Sequence, residues 1–282
     1  MKNSMRDVQK ERDLRNVPID RVGVRDVNYP ILVMDQRNAT QSTVASVSMS
    51  VRLPHEYRGT HMSRFIETLE EYCGRISPVT LEAIARRLRD KLDAPEASIR
   101  FAFPYFVRKP APASGIESFM RYEASLESVS RTLVDGQDDF DMVIGVGVQV
   151  QTLCPCSKEI SEHGAHNQRA FVSLRVRCSA LVWFEELIRM AEDAASAPLF
   201  TLLKREDEKR VTEQAYENPR FVEDVVRDLS LALDGEDRIT WYEISVVSSE
   251  SIHNHDAFAE ITRDKRGTQI IESGESGEAV SG

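Results

Sequence analysis

The sequence predicts an α+β protein in which a ββααββ order occurs twice, and three observations carry that prediction. Strand-like segments come in pairs separated by turn chemistry. Each half sets two amphipathic helical segments between its strand pairs. The polar stretch VDGQDD, starting at Val134, divides the chain near its middle.

The elements follow in order. RVGVRDVNYPILVMD (21–35) and STVASVSMSVRLP (42–54) carry β-branched residues in rough alternation and flank the polar QRNATQ, so they read as a hairpin. THMSRFIETLEEYC (60–73) places Met62, Phe65, Ile66 and Leu69 at helical spacing. SPVTLEAIARRLRDKL (77–92) opens with Ser77 as N-cap and Pro78 at the first helical position. ASIRFAFPYFVRK (97–109) and ESFMRYEASLESVSR (117–131) are strand-like, and Pro104 predicts a bulge or an edge position for the first of them.

In the second half, FDMVIGVGVQVQTL (140–153) and QRAFVSLRVRC (168–178) alternate as strands. LVWFEELIRMAEDAAS (181–196) and NPRFVEDVVRDLSLAL (218–233) are amphipathic helices, the latter with Asn218 and Pro219 at its start. RITWYEISVVSSE (238–250) and HDAFAEITRD (255–264) return to strand. The expected architecture is two antiparallel sheets, each covered on one face by a helix pair. Its boundaries are a polar N-terminal segment at 1–20, a first unit at 21–135, a second unit at 136–265, and a tail at 266–282 that is expected to be disordered. The alternative is one irregular α+β domain whose order is coincidental.

Composition narrows the function. With 282 residues, 41% hydrophobic and 29% charged, the chain is long enough to bury roughly three quarters of its surface without a disulfide or structural metal. The cysteines at 73, 154, 156 and 178 are too few for a disulfide scaffold, and the first residues are charged where a signal peptide needs an apolar core. A reducing, cytoplasmic location is expected. No run approaches the roughly eighteen apolar residues of a membrane helix. A net charge of −10 argues against a nucleic-acid or membrane partner, because both require a basic face. A single anionic small molecule stays compatible, since Arg64, Lys158 and Arg169 each sit close to a histidine or cysteine of interest.

The chemistry-bearing stretch is LCPCSKEISEHGAHNQR, Leu153 to Arg169. Cys154 and Cys156 are separated by one residue, whereas structural zinc sites space paired cysteines by about two to four. In an extended segment the two sulfurs would point to opposite sides, which predicts unequal roles. SSESIHNHD brings Glu250, His253 and His255 to the mouth of a strand, and KREDEKR sets Glu206, Asp207 and Glu208 between the two helices of the second half. Cysteine, histidine and carboxylate drawn from several elements is the pattern of a catalytic metal site with a position left for water. Cys73 and Cys178, within or at the end of apolar elements, read as structural.

These stretches, with GTHMSRF (59–65), NPRFVEDVVRD (218–228) and SSESIHNHDAFAE (248–260), resemble the prokaryotic GTP cyclohydrolase type IB family over nearly the whole chain. The resemblance implies the tunnelling fold, in which tandem ββααββ units assemble into a toroidal barrel. It implies a hydrolase acting on cyclic amidines, which converts GTP and water to formate and 7,8-dihydroneopterin triphosphate at the entry to tetrahydrofolate synthesis. It also implies a homotetramer with active sites at subunit interfaces.

Matching motif to motif, the implied metal ligands are Cys154, His166, Glu208 and His253, with Glu206 a neighbouring rival to Glu208. The metal is a divalent ion, zinc or manganese, with iron compatible with the same donors. Glu223 is the implied anchor of the guanine ring, and Glu250 shares that task or orients a ligand. A metal-activated water would attack guanine C8, with His253 and Cys156 as candidate proton carriers. Lys158, Arg169, His61 and Arg64 would hold the triphosphate. Alternatives on the same scaffold are a cyclohydrolase that forms a cyclic phosphate and a nitrile reductase with a cysteine nucleophile. A structural zinc-binding protein is the non-enzymatic alternative.

Overall fold

A computed structural model of the chain describes residues 9, 11–72 and 74–267. The strands form one sheet rather than two: β1 (Ile19–Asp35), β2 (Ala39–Leu53), β3 (Arg75–Ile76), β4 (Glu96–Pro110), β5 (Glu117–Thr132), β6 (Asp138–Leu153), β7 (Asn167–Cys178), β8 (Ala197–Pro198), β9 (Ile239–Ser248) and β10 (Ala257–Asp264). The order across it is β10-β9-β7-β6-β5-β4-β2-β1-β3, with β8 paired to β6 off this path. The expected junction near residue 135 is a hairpin turn, because β5 and β6 pair continuously from Thr132↔Asp138 to Glu123↔Gly147. A tight turn between two long alternating strands favours pairing over separation, so the two expected sheets are corrected to one. The proposed disordered tail lies outside the described residues beyond 267, as does Cys73.

The helices are α1 (Ser63–Glu71), α2 (Pro78–Lys91), α3 (Pro155–Ile160), α4 (Phe184–Asp193), α5 (Arg205–Glu217) and α6 (Val222–Asp234). At the start of α2, Ser77 Oγ accepts from the Thr80 amide at 3.2 Å while Thr80 Oγ1 accepts from the Ser77 amide at 2.8 Å, a reciprocal cap under Pro78. Leu81, Ile84 and Leu88 of this helix are fully buried, each contributing about 1.5–3 kcal/mol. One face of β4 is buried through Ala97, Ile99, Phe101, Phe103 and Tyr105, and a single apolar core runs from Ile31 on β1 to Val246 on β9.

Two expectations change and one is refined. Pro104 is not at a bulge, since the pairing of β4 with β5 runs through Pro104↔Glu123 without a shift, but it does lie on a local edge of β4, which is otherwise between β2 and β5. The β2 ladder ends at Ser46↔Ala102. Beyond it, Thr43 Oγ1 donates to the Pro104 carbonyl at 2.9 Å, so the face of Pro104 that has no N–H meets a side chain instead of a strand. Gln41 completes the replacement: its amide accepts from Phe106 N at 3.0 Å and donates to Phe106 O at 3.1 Å.

Asn218 closes α5 rather than opening α6, and its Nδ2 donates to the Ala195 carbonyl at 2.9 Å. The second half also holds more than a helix pair, because KREDEKR begins α5. That helix buries only Asp207 and Ala215, too little apolar surface to leave a periodic signal. Asp207 nails it down. Fully buried, it accepts from Lys204 N, Ala113 N and Ser114 N, each at 2.8 Å, and from Ser114 Oγ at 2.7 Å, tying the helix start to the β4–β5 connection. Burial alone would raise its carboxyl, but these hydrogen bonds outweigh it and hold the group well below the usual carboxylate range.

Candidate active site

The cysteine and histidine motif lies where the end of β6, the start of β7 and the end of β9 meet. Leu153↔Asn167 and Ala170↔Ser248 are the pairings that close this corner. The segment after β6 is helical, not extended: Cys154 is the N-cap of α3, its Sγ accepting from Ser157 N at 3.4 Å. The two sulfurs are nonetheless unequally placed, Cys154 half-buried in the corner and Cys156 exposed on the helix.

Backbone and side chain lock Cys154 to His166. Cys154 N donates to the His166 carbonyl at 3.1 Å, and Ser157 Oγ accepts from His166 N at 3.2 Å while donating to the Cys154 carbonyl at 3.1 Å. His166 Nδ1 lies 3.0 Å from Gln168 Oε1. Gln168 Nε2 donates to Thr152 Oγ1 at 3.2 Å and to Glu250 Oε1 at 3.3 Å, and Ser248 Oγ donates to the same carboxylate oxygen at 3.2 Å. Glu250 is thereby connected to His166 through one amide.

Helix ends pack against this corner. Arg220 N, just before α6, donates to the Leu153 carbonyl at 3.0 Å, which brings the exposed Glu223 of the first α6 turn to the same side. Leu153 N donates to Ser196 Oγ at 3.0 Å, and Ser196 N donates to the Gln151 carbonyl at 3.1 Å. Lys158 Nζ donates to the Tyr216 carbonyl at the end of α5 and lies 4.5 Å from that tyrosine's ring centroid.

The remaining expected residues are more dispersed. His253 and His255 are exposed in the β9–β10 connection and stack at 5.2 Å. Glu208 is exposed in the first turn of α5, eight residues before Tyr216, or roughly 12 Å along the helix. Arg169 follows Gln168 on β7 and so projects from the opposite face of the sheet. His61 and Arg64 belong to the first half, where Arg64 Nη1 donates to the Lys91 carbonyl at 3.0 Å.

The donors Cys154 and His166 suit a divalent ion: the thiol and imidazole share one corner, and the histidine is held through Nδ1 in the manner of a ligating imidazole. Among the described residues, however, no group of three or more His, Cys, Asp or Glu draws together as a complete metal site, so Glu208 and His253 are not gathered with Cys154 and His166.

Sequence reasoning passed over Gln168, Thr152, Ser248 and Ser157. The first stands inside the quoted motif two residues after His166, a spacing that puts both on one face of a strand. The other three are hydroxyl residues, whose partners no single sequence reveals.

Comparison with known proteins gives consistent matches. The family model described as "Type I GTP cyclohydrolase folE2" matches residues 5–259. GTP cyclohydrolase FolE2 of Geotalea uraniireducens (strain Rf4) is 50% identical over 266 residues, 93% of this chain and 94% of that protein. The FolE2 protein of Thermosipho africanus (strain TCF52B) is 51% identical over 260 residues, 92% of this chain and 98% of the relative. In structure, uricase from Arthrobacter globiformis superposes with a TM-score of 0.52 at 11% identity, covering 88% of this chain and 94% of that one. A mutant of Bacillus sp. TB-90 urate oxidase gives 0.54 at 10% identity, covering 87% and 100%. These two likenesses speak for the fold alone.

Proposed function

The chain belongs to the type I GTP cyclohydrolase folE2 family, and from that premise we propose that it hydrolyses GTP to formate and 7,8-dihydroneopterin triphosphate, in the cytoplasm, as a step of folate biosynthesis. The observation that carries this reading is identity of about half the residues with FolE2 relatives over more than nine tenths of the chain.

The site is proposed at the β6, β7 and β9 corner. Cys154 and His166 would hold a divalent ion, zinc or manganese, with Glu208 or its neighbour Glu206 and with His253 completing the set. Such an ion supplies Lewis acidity and lowers the pKa of water toward neutrality. Glu223 would accept from guanine N1–H and the exocyclic amine, a paired recognition that orients the ring. Glu250, already an acceptor for Ser248 and Gln168, would position His166 and the base. Cys156, exposed beside Cys154, and His253 are the groups able to carry a proton to guanine N7. Lys158, Arg169, His61 and Arg64 are proposed for the triphosphate.

The strand order supports two tunnelling-fold units at 21–135 and 136–265: β1, β2, β4 and β5 fill one half of the sheet, and β6, β7, β9 and β10 the other. Both ends of the sheet are edges, β10 at one and β1 with the two-residue β3 at the other. Closure against further copies would cover them and form the barrel of a homotetramer.

The direct test is incubation of metal-replete protein with GTP, following formate release and the fluorescence of oxidised pterin beside a Cys154→Ala variant and a chelated sample. Formate and neopterin triphosphate, absent in both controls, are expected. No formate from any metal-loaded sample would refute the assignment, and a cyclic phosphate product would favour the alternative cyclohydrolase.

A further inference from the structure

We propose that Gln168 is a positioning residue that fixes His166 as its Nδ1–H tautomer and couples that imidazole to Glu250. The proposal rests on the reading above in one respect, that His166 offers its other nitrogen to a cation.

An ionised carboxylate only accepts, so Glu250 Oε1 takes a hydrogen from Gln168 Nε2 at 3.3 Å and one from Ser248 Oγ at 3.2 Å. The second amide hydrogen of Gln168 goes to Thr152 Oγ1 at 3.2 Å. The Thr152 and Ser248 hydroxyls lie 3.4 Å apart, and with the Ser248 hydrogen committed to Glu250, Thr152 donates to Ser248. Each polar side-chain hydrogen of these four residues then has one acceptor, and the direction is set at a single end by Glu250. Thr152 and Ser248 are 1% exposed, so water does not compete for them.

The orientation of the amide follows. Rotating it by half a turn would point Gln168 Oε1 at the Glu250 carboxylate and lose both donations, so Nε2 faces Glu250 and Oε1 faces His166. An amide oxygen only accepts, so His166 Nδ1, 3.0 Å away, must carry the hydrogen. The Ser251 hydroxyl, 3.5 Å from the same nitrogen, sits at the limit of hydrogen-bond range and does not reverse this assignment. The lone pair is left on Nε2. An unconstrained histidine favours the opposite tautomer, which would turn an N–H toward a ligand position. Gln168 therefore occupies the place that a carboxylate or carbonyl takes behind a ligating histidine. Because its other end holds Glu250, displacement of that carboxylate is felt at His166.

The test uses metal-free protein labelled with 15N in histidine, at a pH where the ring is neutral, with the His166 signals assigned by their loss in His166→Ala. Wild type is expected to show Nδ1 protonated and Nε2 bare. Gln168→Leu removes the acceptor and should shift His166 toward the Nε2–H form. Gln168→Glu keeps an acceptor and should retain Nδ1–H, although it loses the donation to Glu250. An Nε2–H tautomer in wild type, or no change in Gln168→Leu, would overturn the proposal. If Gln168→Leu fails to fold by circular dichroism, Gln168→Met carries the same comparison.

A second arm measures Zn²⁺ binding by competition with a chromophoric chelator. Gln168→Leu is expected to bind about 10- to 100-fold more weakly than wild type, with Gln168→Glu within a few-fold of it. Equal affinity in wild type and Gln168→Leu would count against the positioning role. Failure of the wild type to bind zinc through Cys154 and His166 would instead sink the metal reading, and the tautomer result would stand on its own.

Discussion

Replacing Lys109 by methionine tests how the molecule supports its proposed site from behind. Lys109 Nζ lies 2.6 Å from Glu192 Oε1, and Tyr122 donates its hydroxyl to the same oxygen at 2.7 Å. The two charged side chains are only 14% and 12% exposed. Lys109 also donates to the Leu199 carbonyl at 2.9 Å, which fixes the segment bearing Ser196 under Leu153. Methionine fills the same volume but leaves the Glu192 carboxylate without its cation. Breaking a buried pair on one side costs about 3–5 kcal/mol, which at about 2–4 °C per kcal/mol lowers Tm by roughly 6–20 °C. Scanning calorimetry and urea unfolding read this loss. The triple variant Lys109→Met/Tyr122→Phe/Glu192→Leu, in which no buried charge is left unpaired and only the Leu199 carbonyl loses its donor, should recover most of it. A single variant within about 0.5 kcal/mol of wild type, the usual range of surface changes, would refute the reasoning, as would a triple variant no better than the single one.

Three further outcomes are expected. Burial, first, and then Glu185 or Glu192 push the Tyr105 and Tyr122 hydroxyls far above their ordinary value of 10. Their protonated state therefore stabilises the fold below pH 10 and is lost above it, at about 1.4 kcal/mol per pH unit for each tyrosine. Urea midpoints should fall between pH 10 and 11, and Tyr105→Phe should flatten that fall. Asp207 has the opposite sign, since its depressed carboxyl stabilises the fold above the usual carboxylate range and loses that effect as pH drops. Asp207→Asn should lower stability at pH 7 and weaken its acid dependence, and an unchanged acid limb would count against the role. On the proposed reading, Glu223→Gln should reduce kcat/KM for GTP by about 10- to 100-fold through loss of a charged hydrogen bond, with the fold intact by circular dichroism. Wild-type kinetics would remove Glu223 from the site.

The sequence was most legible where burial is periodic. Phe65 and Leu69, and the reciprocal Ser77 cap, mark their helices because one face must leave water, whereas Met62, read as part of that face, is the exposed N-cap residue. Helix α5 escaped because what holds it is Asp207, a charge paired with loop amides whose position only the fold creates. Pro104 was legible as an edge position but not as part of a central strand: its penalty depends on whether a ladder continues beside it, and here the ladder with β2 has already ended. Cys154 and His166 were legible as a motif, whereas Thr152, Ser248 and Gln168 gain meaning only when three strands bring them within hydrogen-bond reach.

Lys158 is engaged by Tyr216, Arg169 projects from the opposite face to Gln168, and Arg64 sits in the first half against Lys91. A triphosphate beside Cys154 would meet few of them in one copy, but a neighbouring copy docked along a sheet edge would bring its own first-half helices. If the site is shared in this way, Arg64→Ala and Cys154→Ala chains are each inactive alone yet complementary. Co-expression lets a site take Cys154 from one chain and Arg64 from the other, and random assortment makes about a quarter of the sites whole. Formate release near a quarter of the wild-type rate is the expected result. Activity no greater than that of either parent, in mixed oligomers verified by differential tags, would place both residues in sites made by one chain and remove the main support for sharing.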